Sequence, residues 1–178
     1  IFSVSGCVNN PCVVEDAMGI SLRELIEKHA GGVIGGWDNL QAVIPGGLSC
    51  PILDKKEASE AIMSYDDLAS YGSALGTGAV IVINKNIDII KAFARLAAFY
   101  HHESCGQCGP CRQGTAKLAE ILDRIAKGHG TKSDLCLLEE TATATNNCIC
   151  ALAGAASDPI KGLLKHFREE IKSRLNAA

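Results

Sequence analysis

Hydrophobic positions along the chain change their period once, near residue 85. Upstream of that point they fall in short runs. Residues 1–8 alternate loosely and stop at Asn9-Asn10-Pro11, a turn signal. Ser21-Leu22-Arg23-Glu24 reads as a capping box, in which serine and glutamate each satisfy a free amide at a helix start. The helix it opens should run to about Ala30 and end at Gly31-Gly32. Residues 40–44 and 78–83 are apolar runs of strand length, the first closed by Pro45-Gly46-Gly47. Strands around one helix suggest a small α+β unit, with a β-grasp as the expected form.

Beyond Asn84 the spacing becomes helical. Ile89, Ile90, Phe93, Leu96, Ala97 and Tyr100 form one stripe, and Leu118, Ile121, Leu122 and Ile125 a second. Thr131-Lys132-Ser133-Asp134 can cap a third helix containing Leu135 and Leu138. Ser157-Asp158 before Pro159 predicts the start of a fourth, since proline at the first helical position sacrifices no hydrogen bond. Its stripe would be Ile160, Leu163, Leu164, Phe167, Ile171 and Leu175. Four amphipathic helices with short connections predict a four-helix bundle. The expected division is therefore residues 1–85 and 86–178. No internal repeat or low-complexity tract interrupts either part.

The chain has 178 residues, 47% of them hydrophobic and 21% charged, which is ordinary globular usage and excludes disordered and fibrous classes. Seventeen Lys+Arg against twenty Asp+Glu leave a net charge of −3, too balanced for a dedicated nucleic-acid or membrane-surface binder. No stretch approaches the roughly 20 apolar residues of a bilayer span, so a soluble protein without membrane insertion is expected. The chain opens on Ile1 rather than Met, and the expectation is that the natural start lies upstream. Nine cysteines, an odd count, suit a reducing compartment with some thiols committed to metal better than a secreted disulfide scaffold.

The cysteines carry the chemistry. Cys105, Cys108 and Cys111 stand at C-x-x-C-x-x-C spacing within Glu103-Ser104-Cys105-Gly106-Gln107-Cys108-Gly109-Pro110-Cys111-Arg112-Gln113-Gly114. Such a trio can hold three corners of a 4Fe–4S cubane, whose fourth thiolate usually comes from a distant position. The glycines let the backbone pass close, and Arg112 sets a positive charge beside a negatively charged cluster. Structural zinc is the rival reading, but zinc favours two separated C-x-x-C pairs. Cys136, Cys148 and Cys150 are candidates for the fourth ligand. Cys136 falls inside the third predicted helix, where a buried thiol is the plainer reading. Cys148 and Cys150 are two apart, and periodicity does not choose between them. Cys7, Cys12 and Cys50 lack ligand spacing and read as free core or turn thiols.

Other signals are weaker. Gly31-Gly32, Gly35-Gly36 and Gly76-Thr77-Gly78 lack the strand–turn–helix context of a phosphate loop. His101-His102 read as solvated histidines at a helix end, where positive charge is favourable. Lys161, Lys165, Arg168, Lys172 and Arg174 lie off the apolar stripe and read as a solvated or partner-facing surface.

At the cysteine motif the chain closely resembles the C-terminal part of the NADH-binding flavoprotein subunit of respiratory complex I, whose motif reads E-S-C-G-x-C-x-P-C-R-x-G. The likeness covers essentially the whole chain. It includes Lys28-His29-Ala30-Gly31-Gly32-Val33, Gly35-Gly36-Trp37-Asp38-Asn39-Leu40, Ala42-Val43-Ile44-Pro45-Gly46-Gly47 and Leu75-Gly76-Thr77. Pro159-Ile160-Lys161-Gly162-Leu163 with His166-Phe167-Arg168 completes it, and several of these segments look like the mitochondrial form.

The resemblance implies a β-grasp soluble-ligand-binding domain followed by a helical 4Fe–4S domain. It implies that NADH is oxidised at FMN and that single electrons pass to the cluster, then to the next iron–sulfur centre toward ubiquinone. The family's fourth cysteine lies in a Cys-Ala-Leu segment, here Cys150-Ala151-Leu152, which selects Cys150 over Cys148. Partners would be the flavin-binding N-terminal half of the same subunit and neighbouring iron–sulfur subunits of complex I, in the peripheral arm on the matrix side of the mitochondrial inner membrane. The FMN- and NADH-holding domain of the family lies outside these residues, so a separate polypeptide or an upstream segment is expected to supply it. The sequence departs from the family where Ala153-Gly154 replace Gly-Asp and Asp158 replaces a tryptophan. The alternatives are the diaphorase subunit of a soluble NAD-linked hydrogenase or formate dehydrogenase, and a module whose cluster is only structural.

Overall fold

Alternation along the first strand decides which face of the first sheet is buried. In β1 (Phe2–Gly6) Phe2 and Val4 point into the core while Ser3 is exposed. β1 turns back on β2 (Cys12–Val14) as an antiparallel pair and runs parallel to β5 (Ala79–Asn84). β5 pairs antiparallel with β3 (Leu40–Ile44), and β3 antiparallel with β4 (Leu53–Asp54). The order is β2-β1-β5-β3-β4, a mixed five-stranded sheet. The parallel β1–β5 pair cannot be joined by a tight turn, so the intervening chain must cross over and carries helices across the sheet. The computed structural model describes residues 1–146 and 148–176. They form an α+β structure of two compact units, Ile1–Ile87 and the chain from Asp88 onward.

In the first unit the Ser21 hydroxyl accepts the Glu24 N–H at 3.1 Å and starts α1 (Leu22–Glu24). The helix then widens into a π-helical turn, Leu25–His29. The glutamate does not complete the capping box; its carboxylate pairs with Lys28 instead. Leu22, Leu25 and Ile26 are fully buried against Leu40, Val43 and Val80. Two helices escape the hydrophobic pattern, α2 (Lys55–Glu60) and α3 (Tyr65–Ser70). Each is shorter than two turns, too short to display a 3.6 period. Their caps are nonetheless in the sequence: Asp54 accepts Glu57 N–H and Ser64 accepts Asp67 N–H.

The second unit is helical. All six stripe residues of α4 (Ile89–Glu103) are buried, as are the four of α5 (Gly109–Ala126). α6 (Lys132–Ala144) carries both halves of the Thr131–Asp134 capping box. Asp88 caps α4 by accepting Lys91 N–H at 3.1 Å, and it pairs with Arg174 at 2.9 Å.

The fourth helix departs from expectation at both ends. α7 (Leu152–His166) begins well before Pro159, which stands inside it and is buried. The run from Ala151 to Ala156 is almost all alanine and glycine. Its alanines favour helix strongly enough to extend it over the turns where the ring removes one rung. At the other end the stripe breaks at Phe167 (φ −122°, ψ 25°). A separate helix, α8 (Arg168–Ser173), then buries Ile171. Leu175 leaves the helix for β7 (Leu175–Asn176), which lies parallel to β6 (Gly130–Thr131).

Candidate metal centre

The cysteine motif occupies the corner between α4 and α5. α4 ends when Ser104 N–H bonds back to the Tyr100 and His101 carbonyls at 3.1 and 3.4 Å. The chain then reverses through Gly106 at φ +76°, a left-handed conformation that a side chain would strain. Cys108 is the N-cap of α5, its carbonyl accepting Arg112 N–H at 2.9 Å, and Pro110 sits in the first turn where its missing N–H costs nothing. Cys111 follows one turn later. The three sulfurs thus stand on one loop and at the positive end of an 18-residue helix, where thiolates are stabilised.

Side chains hold the loop closed. Ser104 Oγ accepts Gly106 N–H and lies 3.3 Å from Cys111 Sγ. Arg112 does more than add charge: its guanidinium donates to the Gly106 carbonyl at 2.7 Å and clamps the corner. Thr115 Oγ1 donates to the Cys111 carbonyl at 2.8 Å. Gly114, one residue before it, faces Thr145, so closely that a Cβ would lie 2.1 Å from the Thr145 hydroxyl oxygen.

The segment leading into α7 folds onto this corner. Ile149 N–H donates to Cys108 Sγ at 3.5 Å, joining positions 41 apart in sequence. The Cys148 thiol lies beside the Cys108 sulfur and the Cys111 amide, and within 3.6 Å of the Asn146 carbonyl oxygen. Burial pushes the Cys148 thiol above its ordinary pKa, the Cys108 and Cys111 sulfurs add to that, and the Cys111 amide works against it. Cys111 is buried, Cys108 half-buried, and Cys105 and Cys150 exposed. Pattern reading missed Ser104 and left Cys148 without a contact. Ser104 was legible only as part of the motif, and Cys148 becomes a neighbour of Cys108 only through tertiary folding.

Four cysteines lie outside the motif and the segment that leads into α7. Cys136, expected as a buried thiol, is exposed, because Leu135 and Leu138 take the inward positions of α6. Cys7 and Cys12 are half-buried and Cys50 is buried. His101 and His102 are exposed, with His102 Nδ1 3.1 Å from Glu103. The basic residues of the last helices are mostly paired: Lys161 with Asp158, Arg168 with Glu139, Lys172 with Glu169, and Arg174 with Glu170 and Asp88.

Thiols alone, three on one turn and more on a segment hydrogen-bonded to it, are a soft donor set that fits an iron–sulfur cluster. Residues 91–174 match the profile of the NADH-ubiquinone oxidoreductase-F iron–sulfur binding region. An NADH-quinone oxidoreductase subunit of Rickettsia bellii is 57% identical over 176 residues. The chain is similar to part of these oxidoreductase subunits. Residues 1–82 match an SLBB domain. The match to the Rickettsia protein covers 98% of the chain but 42% of that relative. NADH dehydrogenase [ubiquinone] flavoprotein 1, mitochondrial, of Dictyostelium discoideum is 53% identical, covering 98% of the chain and 37% of the relative. The chain therefore spans about two-fifths of the length of these relatives. Among solved structures, an NAD+-reducing [NiFe]-hydrogenase in its air-oxidised state superposes with a TM-score of 0.86 at 29% identity. That superposition covers 98% of the chain and 29% of the hydrogenase chain. No described helix is long and apolar enough to cross a membrane.

Proposed function

We propose that this chain is an electron-relay part of an NADH dehydrogenase, with Cys105, Cys108, Cys111 and Cys150 as the thiolates of a 4Fe–4S cluster. One observation carries the reading: the segment bearing Cys150 is hydrogen-bonded onto the C-x-x-C-x-x-C corner through Ile149 N–H and Cys108 Sγ. When bound, the cluster supplies one-electron transfer between a donor and an acceptor. The chain's own residues do the rest. Gly106 and the Arg112 clamp shape the loop, the α5 N-terminus favours ionised thiols, and Ser104 supports Cys111.

In the fuller reading, residues 1–85 are a β-grasp soluble-ligand-binding domain and residues 86–178 a four-helix cluster domain. The parallel β1–β5 pair with its crossover helices and the SLBB match support the first part. The burial of the α4 and α5 stripes supports the second. NADH oxidation at FMN belongs to the longer assembly: the flavin-holding N-terminal half delivers electrons, and a neighbouring iron–sulfur subunit takes them on toward ubiquinone. A place in the peripheral arm of complex I, on the matrix side of the mitochondrial inner membrane, is supported by the mitochondrial relative. The diaphorase of an NAD-linked hydrogenase is the second reading, favoured by the superposition on such a hydrogenase. Its 29% identity weighs less than 57% to the quinone oxidoreductase relative.

Anaerobic reconstitution with iron and sulfide, followed by metal analysis and low-temperature EPR of the reduced chain, tests the assignment. About four irons per chain and a paramagnetic signal are expected. One zinc and no signal would sink it. Cys150→Ser should weaken the cluster far more than Cys148→Ser, and equal loss from both would remove Cys150 from its assigned role.

A further inference from the structure

Ser104 stands one residue before the first cysteine of the motif, and its side chain reaches past it to the third. Its Oγ lies 3.3 Å from Cys111 Sγ and accepts Gly106 N–H, also at 3.3 Å. A serine hydroxyl has one proton to give and two lone pairs to receive with. Gly106 N–H occupies one lone pair, which leaves the proton to be placed. A cysteine bound to a cluster is a thiolate with no proton of its own, so in that contact only the hydroxyl can donate. Accepting from the amide also polarises the hydroxyl and strengthens the bond it gives. Cys111 is 6% exposed, so water has little access to replace a lost donor. Arg112, bonded to the Gly106 carbonyl at 2.7 Å, holds the loop independently of the serine.

We infer that Ser104 is a positioning residue whose hydroxyl donates to the Cys111 sulfur of the bound cluster and raises the cluster's reduction potential. The inference rests on the ligand reading proposed above. Its physical basis is charge: a donor at a ligating sulfur draws negative charge away from it and favours the more negative, reduced state. Ser104 takes no electron in this role and keeps its proton.

The full chain, reconstituted anaerobically with iron and sulfide, is compared as wild type, Ser104→Thr, Ser104→Val and Ser104→Ala. Threonine and valine share one shape and differ at the hydroxyl, so this pair separates donation from packing. Iron per chain and the midpoint potential from an EPR-monitored redox titration are the readouts. Ser104→Val and Ser104→Ala should keep the wild-type iron content and shift the midpoint to more negative values. Ser104→Thr, which retains the donor, should stay near wild type. Should valine take up no iron, alanine against threonine gives the same comparison. Threonine behaving like valine in either readout would overturn the inference, as would an unchanged or more positive midpoint in the variants without a hydroxyl. Iron loss in both valine and alanine, with threonine still loaded, would overturn it too, since the hydroxyl would then build the site rather than tune it. A wild-type chain that takes up no iron and sulfide would show that the ligand reading itself fails, a result separate from any effect of the variants.

Discussion

Ser104 has two tasks in one residue: its amide ends α4, and its hydroxyl sits between Gly106 N–H and the Cys111 sulfur. Single residues of this kind fix the corner more than any hydrophobic pattern does. Gly114 is another. Thr145, almost wholly buried with its hydroxyl donating to the Thr141 carbonyl, leaves no room for a methyl group opposite it. Gly114→Ala should therefore destabilise the chain by about 1–3 kcal/mol, the usual cost of overpacking. Adding Thr145→Ala removes the two nearest side-chain clashes and should restore part of that loss. Urea denaturation of both variants checks this, and a neutral Gly114→Ala would contradict the close approach. The need for glycine at 106 and the cysteine spacing were readable in sequence. The need at 114 was not, because Thr145 becomes its neighbour only when α5 meets the end of α6.

At the scale of elements, stripes and caps read well and interruptions read badly. The six stripe positions of α4 and the Thr131–Asp134 cap of α6 are as the periodicity and capping rules describe. Pro159 misled because a start signal is only local. The helix-favouring alanines before it, buried at Ala153 and Ala156, carry α7 through the proline. The break at Phe167 has no signal in the stripe, which continues unbroken through Ile171. The α6 cap also gives a pH dependence. Asp134 accepts Arg124 at 2.5 Å and Thr131 N–H at 2.8 Å, and the Arg124 guanidinium first of all holds its carboxyl below the ordinary 3.8. A carboxyl depressed in the folded state contributes its full stability above the unfolded value and loses it as pH falls through the folded one. Asp134→Asn should cost about 1–3 kcal/mol at neutral pH. The gap to wild type should narrow as pH drops below 3.8, which urea midpoints measured between pH 6 and pH 3 would reveal. A gap independent of pH would remove the ion pair as its cause.

At the scale of the molecule, the chain covers about two-fifths of its relatives, so the proposed relay needs a donor that these residues do not supply. The reconstituted chain by itself should be reduced by dithionite and not by NADH, whereas NADH should reduce it in the native assembly. Visible and EPR spectra would follow both, and a cluster that stays redox-silent in the assembly would favour a purely structural role. Sequence alone determined what is local and periodic: the mixture of strand and helix, the buried stripes, the caps, and the cysteine trio at one helix start. Spacing of that kind is written into neighbouring residues and survives without a partner. Tertiary structure decided what joins distant positions. It set the five-strand order with its parallel β1–β5 pair, the break at Phe167, the exposure of Cys136, and the approach of residues 148–150 to Cys108. Local propensity cannot encode these, because each depends on which surfaces remain to be buried once the nearer elements have packed.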